Sequence, residues 1–482
     1  MELMIPLKNQ PGCPYYSQIY SYIKTEIINK NLKPAVRLPS TRQLAEHLKV
    51  SRSTTQMAYE QLLSEGYIES IPCRGYFVLK IDGLVHTSQD KNKKPASFFT
   101  AKAEQNEGEP DWIVDFSPRG IDLCNFPFNA WRRISKNTLI DDNREMFAAG
   151  DPQGEPVFRE AIREYLHSAR GVNCQPEQII VGAGSEYLLM LLSQILGREK
   201  TIAMENPTYK QAYRVFNSLQ YQVIPVDMDQ SGMDVKLLEK SGASIAYVMP
   251  SHQYPTGIIM PVKRRQELLT WAYKGKNRYL IEDDYDSEFR YKGKPIPALQ
   301  GMDEKDRVIY FGTFSKSIAP AIRVSYLVLP RSLCHIYQSR VSFYASTVSR
   351  IDQNILYQFM SEGHYERHLN RMRAVYKSKH DVLTAGIKTF EDQFSLAGEH
   401  AGLHILLTDR KGRTEEELIT KAARRGVKVY GLSSSFIHKE HNKYPPTVIL
   451  GFANLTEKEI REGTALLKEA WSIDECKGEF CE

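Results

Sequence analysis

Apolar residues near the start of the chain recur with the spacing of a short helix. In YYSQIYSYIKTEIINKN, residues 15–31, Ile19, Ile23 and Ile27 fall on one helical face, which predicts a single buried stripe. Pro34 lacks an amide hydrogen, so the helix is expected to end before it.

Two further helices and a pair of strands are predicted before residue 80. Ser40, with a glutamine three residues later, has the pattern of a capping box and predicts the start of the helix STRQLAEHL. Ser51 predicts the start of the next helix, RSTTQMAYEQLLSEG, and Gly66 its end. YIESIPCRGYFV then predicts a hairpin around Arg74 and Gly75. This order of elements predicts one small, mainly helical domain over residues 1–80.

The pattern changes after residue 80. Residues 81–111 are polar and nearly aperiodic, which predicts a linker. Over residues 112–473, apolar runs typical of buried strands alternate with longer helical stretches, which predicts a mainly parallel sheet covered by helices, an α/β fold. The strand-like runs are QIIVGAG, TIAMENP, ASIAYVMP, RYLIEDD, RVIYFG and RVSYLVLP. Residues 474–482 are expected to form a frayed tail.

The composition of the 482 residues, with 42% hydrophobic and 25% charged residues, is typical of a soluble globular protein. No apolar run reaches the roughly 20 residues that span a bilayer, and the N-terminus lacks a signal-peptide pattern. The seven cysteines are scattered and lack metal-ligand spacing. We therefore expect reduced thiols, no metal site, no membrane contact and a cytoplasmic location.

Most of the net charge of +5 lies at the N-terminus. Residues 1–80 hold ten Lys and Arg against six Asp and Glu, a net +4, which leaves +1 for the other 402 residues. A basic N-terminal domain favours a polyanionic partner. The third predicted helix exposes phosphate-binding side chains in its first turn, and Arg52 or Gln56 could reach base edges in a major groove. The predicted surface for double-stranded DNA consists of Ser40, Thr41, Arg42, Ser51, Arg52, Ser53, Thr54, Gln56, Tyr59, Arg74 and Gly75.

An alternative interpretation of residues 1–80 is a small dimerisation domain with an ordinary solvated face. The order helix, helix-turn-helix and basic-tipped hairpin is more restrictive than any one helix. The stretch LPSTRQLAEHLKVSRSTTQMAYEQLLSEGYI resembles the winged helix-turn-helix of the GntR regulators, and the resemblance covers nearly all of residues 10–80. It implies DNA binding, with two half-sites for a dimer.

A lysine lies among small hydroxyl residues in YFGTFSKSIAP, residues 310–320. Lys316 could form a Schiff base with an aldehyde if its surroundings favour the neutral amine. Pyridoxal phosphate would also require a phosphate cradle, a carboxylate at the ring nitrogen, a donor to the phenolic oxygen and a flat group against the ring. Each motif has an ordinary structural interpretation when taken alone, but together they predict one cofactor site.

The predicted phosphate cradle is VGAGSEYLL, residues 181–189, which has the pattern of a strand end, a turn and a helix start. The amides of Ala183, Gly184 and Ser185 are predicted to face the phosphate, favoured by the helix dipole. The side chains predicted to complete the cradle are Thr313, Ser315 and Arg323.

The candidates for the ring lie in two other segments. IEDDYDSEFRY follows a strand, so its acidic residues are expected at a carboxyl edge where ligands of α/β sheets bind. Asp283 is predicted to keep the pyridine nitrogen protonated, and Tyr285 to bind the phenolic oxygen. Tyr209, in ENPTYKQAY, is predicted to stack on the ring.

Residues 112–473 resemble the fold-type I, aspartate-aminotransferase-like domains. The matching stretches are GDPQGEPVFREAIREYL, PSHQYPTG and GTFSKSIAPAIRVSY. Joined to a GntR-type head, the whole chain resembles the MocR-type regulators, close to the GabR branch. The resemblance implies that Lys316 holds pyridoxal phosphate as an internal aldimine, that Arg323 binds its phosphate, and that Asp283, Tyr285 and Tyr209 surround its ring. It also implies a homodimer.

Four positions depart from the patterns of these families. Tyr254 replaces the asparagine that aminotransferases have in NPTG, and Ile449 replaces the arginine that clamps the substrate carboxylate. Gln211 and Ser434 stand where the GABA-sensing regulators have arginines. Because neither side chain supplies the charge of an Arg–carboxylate pair, GABA is not expected to be the effector.

The favoured interpretation is a DNA-binding transcription regulator that depends on pyridoxal phosphate. It would sense a small amine or amino acid through aldimine exchange at Lys316, with little turnover. One alternative is a working aminotransferase with a vestigial head, and another is a regulator that senses pyridoxal phosphate itself. The basic, capped third helix argues against a vestigial head, and the missing carboxylate clamp argues against efficient transamination.

Overall fold

A computed structural model describes residues 3–8, 14–72, 74–80, 111–139, 144–291, 296–438 and 444–472. Apart from residue 111, the predicted linker over 81–111 lies outside the described residues, as does the predicted tail over 474–482. The chain divides into two compact units, Met1–Ala103 and Glu104–Glu482.

The first unit has the predicted order of helices and strands. Its described elements are α1 (Tyr15–Ile28), α2 (Thr41–Leu48), α3 (Arg52–Ser64), β1 (Ile68–Ile71) and β2 (Gly75–Val78). Both predicted caps are present, because the Ser40 hydroxyl accepts from the Gln43 amide in a capping box and the Ser51 hydroxyl accepts from the Thr54 amide. Lys49, at φ 53°, ends α2 in the left-handed conformation and so turns the chain into α3.

The core of the first unit joins α1 to α3. Ile19 and Ile23 of α1 are fully buried with Ala58 and Leu62 of α3, as their helical spacing predicts. Between α2 and α3, the buried Thr55 hydroxyl donates to the Thr41 carbonyl at 2.8 Å, which fixes the angle of the helix-turn-helix. The strands β1 and β2 pair antiparallel as a hairpin.

The second unit alternates strands and helices. Its described strands are β3 (Val114–Asp115), β4 (Ile179–Gly182), β5 (Thr201–Asn206), β6 (Gln222–Asp229), β7 (Gly232–Met233), β8 (Ile245–Val248), β9 (Tyr279–Asp284), β10 (Val308–Thr313), β11 (Ser325–Val328), β12 (Phe394–Ala397), β13 (His404–Asp409), β14 (Val427–Lys428), β15 (Tyr430–Gly431) and β16 (Thr447–Gly451). Its described helices are α4 (Phe128–Thr138), α5 (Pro156–Arg170), α6 (Ser185–Leu196), α7 (Lys210–Ser218), α8 (Val235–Lys240), α9 (Val262–Lys274), α10 (Arg331–Arg340), α11 (Arg350–Ser361), α12 (His364–Lys388), α13 (Glu415–Arg424) and α14 (Glu457–Ser472).

The main sheet of the second unit has the strand order β4-β11-β10-β9-β8-β5-β6-β7. The strands β10, β9, β8, β5 and β6 are parallel, whereas β11 and β7 run antiparallel to their neighbours. All six predicted strand-like runs lie in this sheet, which confirms the mainly parallel α/β prediction. A smaller sheet has the order β12-β13-β16-β15, and β14 pairs with β3.

The parallel strands bring the candidate cofactor residues to one edge of the main sheet. Asp283 lies at the carboxyl end of β9, and Lys316 follows the neighbouring strand β10. In a parallel sheet the carboxyl ends of the strands meet at the same edge, where ligands of α/β proteins bind. Within the described ranges, no helix combines the length and apolar character needed to cross a bilayer.

Candidate functional site

Lys316 is held by a segment far from it in sequence. Its Nζ donates a hydrogen bond to the backbone carbonyl of Arg119 at 2.8 Å. Burial lowers the pKa of the Lys316 ammonium to about 8, while the Asp286 carboxylate opposes this effect and the Arg119 guanidinium adds to it. The neutral amine, which is the nucleophilic form, is therefore accessible near neutral pH.

Asp283 presents a carboxylate to the same region. The hydroxyl of Tyr247, from the neighbouring strand β8, donates to Asp283 Oδ2. Burial raises the pKa of Asp283 to about 7, and the Tyr247 hydrogen bond opposes that rise. No cationic side chain forms an ion pair with Asp283 in the part of the chain that the structure describes. A carboxylate of this kind fits a protonated pyridine nitrogen, which would supply the missing positive charge.

The neighbours of Asp283 in the acidic run have structural partners. Glu282 is fully buried and accepts hydrogen bonds from the amides of Leu299 and Gln300 at 2.7 and 2.8 Å. Asp284 accepts from Arg170 Nε at 2.8 Å. The acidic run is therefore mostly internal, and of its first three carboxylates only Asp283 has no such fixed backbone or cationic partner among the described residues.

Tyr285 is fixed by a buried histidine–carboxylate pair. Its hydroxyl lies 3.0 Å from Nδ1 of His252, and that nitrogen lies 3.0 and 3.1 Å from the two carboxylate oxygens of Asp286. Gly402 leaves the space for the imidazole, because a Cβ there would lie 1.9 Å from His252 Cε1. Burial and the Asp286 charge raise the pKa of Tyr285 well above its ordinary value, so the hydroxyl stays protonated and can donate.

Aromatic rings form one wall of the site. The Tyr254 ring makes edge contacts with Tyr209 and Tyr285, with centroids 5.9 and 6.0 Å apart. Tyr254 occupies the position of the missing NPTG asparagine, so an aromatic ring replaces an amide there. Burial, followed by the Asp283 charge, raises the pKa of Tyr209 to about 12, which keeps this ring neutral.

The predicted phosphate turn is present at the start of α6, but part of it is already bonded within the protein. The Ala183 amide donates to the Thr347 hydroxyl at 3.0 Å, and the Gly184 amide donates to the Gly182 carbonyl at 2.8 Å. Ser185 begins α6 without a side-chain cap. The first-turn amides of α6 are thus the donors best placed to receive an anion.

Side chains predicted to complete the cradle lie near this turn. A Cβ at Gly184 would lie 2.5 Å from Arg323 Nη2, which shows how closely the guanidinium approaches the turn. The same guanidinium bonds Glu186 at 2.9 Å. Thr313 accepts through its hydroxyl from the Ser315 amide at 3.1 Å, so both hydroxyl residues help to shape the loop that leads to the lysine.

Most of the predicted DNA-binding side chains lie on the surface of the first unit. The exposed ones are Ser40, Arg42, Ser51, Arg52, Ser53, Gln56 and Arg74, and the partly exposed ones are Thr54 and Gly75. Tyr59 instead is fully buried, with its hydroxyl donating to the Pro39 carbonyl at 2.9 Å. Thr41 is only 8% exposed. The side chains of Tyr59 and Thr41 are therefore removed from the candidate surface, because both serve the core.

Two exposed side chains of the surface are paired with acidic neighbours. Arg42 bonds Glu46 at 3.2 Å, and Gln56 donates to Glu60 at 2.9 Å. The Arg52 guanidinium makes no hydrogen bond or ion pair with any residue that the structure describes, so it needs no rearrangement to meet a ligand.

Arg37 was missed by sequence reasoning. It bridges Phe77 in β2, and its Nε would lie 3.4 Å from a Cβ at Gly75. The Arg37 guanidinium therefore lies beside Gly75 at the start of β2, although the two residues are far apart in sequence. Arg37 precedes the capping box and lies outside every predicted strand, so the sequence did not indicate that it would lie beside the hairpin.

The positions that depart from the family patterns carry no positive charge in the structure. Ile449 is 1% exposed and packs in an apolar cluster with Leu406, Leu432 and Phe436. The Ser434 hydroxyl donates to the Gly431 carbonyl at 2.8 Å. Ile449 and Ser434 therefore supply no charged clamp for a carboxylate.

Comparisons with known proteins agree with this two-part organisation. The family model for class I and II aminotransferases matches residues 122–466, and that for bacterial regulatory proteins of the gntR family matches residues 15–78. The chain is 39% identical to the uncharacterized HTH-type transcriptional regulator YdeL of Bacillus subtilis (strain 168), over 95% of this chain and 97% of YdeL. It is 32% identical to the probable rhizopine catabolism regulatory protein MocR of Rhizobium meliloti, over 98% of this chain and 97% of that protein.

A solved structure supports the fold of the second unit. The kynurenine aminotransferase of Pyrococcus horikoshii matches with a TM-score of 0.67 and 25% identity, over 75% of this chain and 91% of that chain. A GntR-type DNA-binding domain joined to an aminotransferase fold defines a class of transcription regulators. The chain belongs to the MocR-type members of that class, as its motifs predict. Its aminotransferase domain implies binding of pyridoxal phosphate.

Proposed function

We propose that this regulator binds pyridoxal phosphate at Lys316 and senses a small amine or amino acid through aldimine exchange at that lysine. The observation that carries the proposal is a partly buried lysine of lowered pKa in the loop after β10, the strand next to that of Asp283, a carboxylate without a cationic partner among the described residues. The bound cofactor would supply an electrophilic carbon to which a primary amine adds.

The surrounding residues would bind and orient the cofactor. Asp283 would hold the ring nitrogen protonated, with Tyr247 orienting its carboxylate. Tyr285 would donate to the phenolic oxygen, held in place by the His252–Asp286 pair, and Tyr209 would lie against the ring. The phosphate would be bound at the turn 183–185, chiefly by the Ser185 amide at the start of α6, and by the residues of the lysine loop, Thr313, Ser315 and Arg323.

Exchange at Lys316 offers a physical link from ligand to conformation. In the structure, the lysine ties the loop after β10 to the turn at Arg119 through one hydrogen bond. That hydrogen bond is made by the free Lys316 amine, so an amine that takes the place of Lys316 at the cofactor would release the side chain to form it. The two ligation states then differ in their contacts, which is the minimum that a ligand needs to shift a conformational equilibrium.

We also propose a homodimer that acts in the cytoplasm and binds an operator with two half-sites. Support comes from Phe343 and Tyr344, which are 75% and 45% exposed and whose tilted rings have centroids 4.3 Å apart. This apolar pair lies just before Thr347, the residue bonded to the phosphate turn, so a subunit contact there would adjoin the cofactor site.

Two alternatives differ in what the second unit does. A working aminotransferase is favoured by the likeness to the Pyrococcus enzyme but disfavoured by the apolar surroundings of Ile449. A regulator that senses pyridoxal phosphate itself is favoured by 29% identity to the pyridoxine biosynthesis regulator PdxR of Corynebacterium glutamicum, over 98% of this chain.

An absorbance titration beside a DNA-binding assay tests the proposal. Cofactor-loaded protein is mixed with a panel of small amines and amino acids, and keto products are measured in parallel. We expect at least one compound to shift the spectrum and alter DNA binding while product stays near background. Steady turnover with an ordinary amino acid and 2-oxoglutarate would favour a working aminotransferase. A change in DNA binding caused by pyridoxal phosphate alone would favour a regulator that senses pyridoxal phosphate itself.

The pH dependence of cofactor capture is the first prediction. Because burial lowers the pKa of Lys316 to about 8, the neutral amine is populated as the pH rises through about 8. The rate at which cofactor-free protein captures pyridoxal phosphate is expected to rise over that range, as measured by stopped-flow absorbance. Nα-acetyl-lysine, which keeps only the side-chain amine with a pKa of about 10.4, is the reference and should respond only at higher pH. A protein profile that matches Nα-acetyl-lysine would contradict the prediction.

The proposed DNA surface yields a second prediction. Arg52→Ala is expected to weaken operator binding by about 1–3 kcal/mol if the guanidinium reads a guanine. If it contacts only phosphate, binding should fall similarly on all sequences and with a shallower salt dependence. The control is Arg132→Ala, an exposed arginine of the second unit. Equal operator affinity and salt dependence for Arg52→Ala and wild-type protein would exclude Arg52 from the interface.

A further inference from the structure

The loss of the usual carboxylate clamp leaves open how the protein would hold the acidic end of an amino acid. Ile449, Gln211 and Ser434 are uncharged, and Arg323 is paired with Glu186 at 2.9 Å. The Arg119 guanidinium forms neither an ion pair nor a hydrogen bond with another residue in the described ranges, and its side chain is exposed.

The backbone of Arg119 lies at the reactive lysine. Its carbonyl accepts the hydrogen bond from Lys316 Nζ at 2.8 Å. The amine that a ligand would replace is therefore in contact with the same residue that carries the guanidinium. A single arginine can thus adjoin the reacting amine through its backbone and present a positive charge nearby through its side chain.

Backbone hydrogen bonds and close packing fix the position of the turn that carries Arg119. The Gly120 amide donates to the Ser117 carbonyl at 3.3 Å, and the Gly451 amide donates to the Phe116 carbonyl at 2.9 Å. Two glycines permit the close contact between this turn and the end of β16. A Cβ at Gly451 would lie 2.1 Å from the Ser117 carbonyl oxygen, and one at Gly120 would lie 2.5 Å from Asn454 Oδ1. The position of residue 119 is therefore fixed by backbone packing.

The charge of Arg119 acts on the cofactor site. The guanidinium lowers the pKa of the Lys316 ammonium in addition to the larger effect of burial. It also opposes the burial that raises the pKa of Tyr254, and the burial and Asp283 charge that raise that of Tyr209. Its field thus reaches the lysine and two of the three rings of the aromatic wall, which is where a ligand on the lysine would lie.

We infer that Arg119 binds the acidic group of an amino-acid effector whose amine reacts at Lys316. The ligand class is a small zwitterion that carries a carboxylate or sulfonate close to a primary amine. An arginine is suited to this role because its planar fork forms bidentate, charge-assisted hydrogen bonds with such oxyanions. The inference rests on the proposed function and names the ligand class that the site selects.

The test compares ligands with and without their acidic group. Cofactor-loaded protein is titrated with alanine, β-alanine and taurine, and with ethylamine as the amine that lacks the acid, while absorbance is followed. We expect wild-type protein to bind at least one of the three acids more tightly than ethylamine. Arg119→Gln should lower the affinity for that acid about ten- to hundredfold, the range for hydrogen bonds to charged groups. Its affinity for ethylamine should change less than about twofold.

Two further variants make the result specific. Arg119→Lys keeps the charge but loses the fork and should retain an intermediate preference for the acid. Arg132→Gln removes an exposed arginine of α4 and should match wild type. Thermal unfolding, expected to be unchanged, shows that each variant folds, and the presence of the cofactor band in the resting protein shows that it carries cofactor.

The outcomes separate this inference from the proposed function. Equal losses for the acid and ethylamine in Arg119→Gln, or no loss for either, would overturn the role of Arg119 while leaving exchange at Lys316 intact. A wild-type protein that prefers ethylamine to all three acids would also overturn it. A wild-type spectrum that responds to no amine at all would overturn the proposed function, and the inference with it.

Discussion

Lys316→Ala is expected to abolish the covalent absorbance band of the cofactor-bound protein while leaving both units folded. The lysine amine is the proposed point of attachment, and the methyl group of alanine cannot replace it. Among the described residues the Lys316 side chain makes one hydrogen bond, that to the Arg119 carbonyl, so the fold should persist. Absorbance of the purified protein measures the band, and circular dichroism measures the fold.

Borohydride reduction makes the assignment direct. It converts the covalent bond to a stable amine, so mass spectrometry of peptides should place the cofactor on the peptide that contains Lys316. Lys274→Ala removes an exposed lysine of α9 and should label like wild type. An unchanged band in Lys316→Ala, or a label on another lysine, would reject the proposed site.

The first unit could be predicted almost completely from its sequence because its signals are local. Ser40 and Ser51 cap their helices through residues three positions away, and the buried isoleucines of α1 repeat at helical spacing. The prediction failed for Tyr59, whose place on α3 does not tell whether it faces DNA or the core. Its bond to the Pro39 carbonyl is a contact across 20 residues, and no local pattern contains it.

The cofactor site shows the same limit more strongly. The order of strands and the motif at residues 282–286 predicted that Asp283 and Lys316 would lie in one site, and the structure places Asp283 at the end of β9 and Lys316 in the loop after the neighbouring strand β10. The groups that orient them could not be predicted. Tyr247 lies 36 residues from Asp283, and Arg119 lies 197 residues from Lys316. Their sequences show only a tyrosine in an apolar strand and an arginine in a turn, both of which are common.

The acidic run also required the structure to assign its members. Asp283 and Asp284 are adjacent and chemically identical, yet β9 points them to opposite faces of the sheet because side chains alternate along a strand. Asp283 meets Tyr247 on one face, and Asp284 meets Arg170 on the other. One carboxylate is therefore proposed to bind the cofactor, while the other belongs to the internal framework beneath it.

That framework should be sensitive to the loss of Arg170. Arg170 and Asp284 are 3% and 2% exposed and bond at 2.8 Å. Arg170 also donates to the Ser251 hydroxyl at 2.6 Å, and Tyr310 donates to Asp284 at 2.5 Å. Burial acts to lower the pKa of Arg170, but the Asp284 charge outweighs it and raises that pKa. The pair is thus charged, and its two ions compensate each other away from water.

Arg170→Met is expected to lower the free energy of unfolding of the second unit by about 3–5 kcal/mol, because it leaves the Asp284 charge buried without its partner. Urea denaturation followed by tryptophan fluorescence measures the loss. The matched control is Arg133→Met, which breaks an exposed pair with Glu362 of 2.6 Å and should cost less than about 1 kcal/mol. The Arg133–Glu362 distance is the shorter of the two, but breaking this pair is expected to cost less free energy of unfolding, because water already solvates both of its ions.

The double variant Arg170→Met/Asp284→Asn distinguishes the loss of the charge partner of Asp284 from the loss of the packing contacts of Arg170. Removing the buried negative charge should restore part of the stability, since asparagine can still accept from Tyr310 and no ion is left uncompensated. Thermodynamic coupling between the two substitutions, measured as a double-mutant cycle, is therefore expected to be large. If the double variant were as unstable as the sum of the single variants, the pair would stabilise the fold by packing alone, and the electrostatic account of this framework would be wrong.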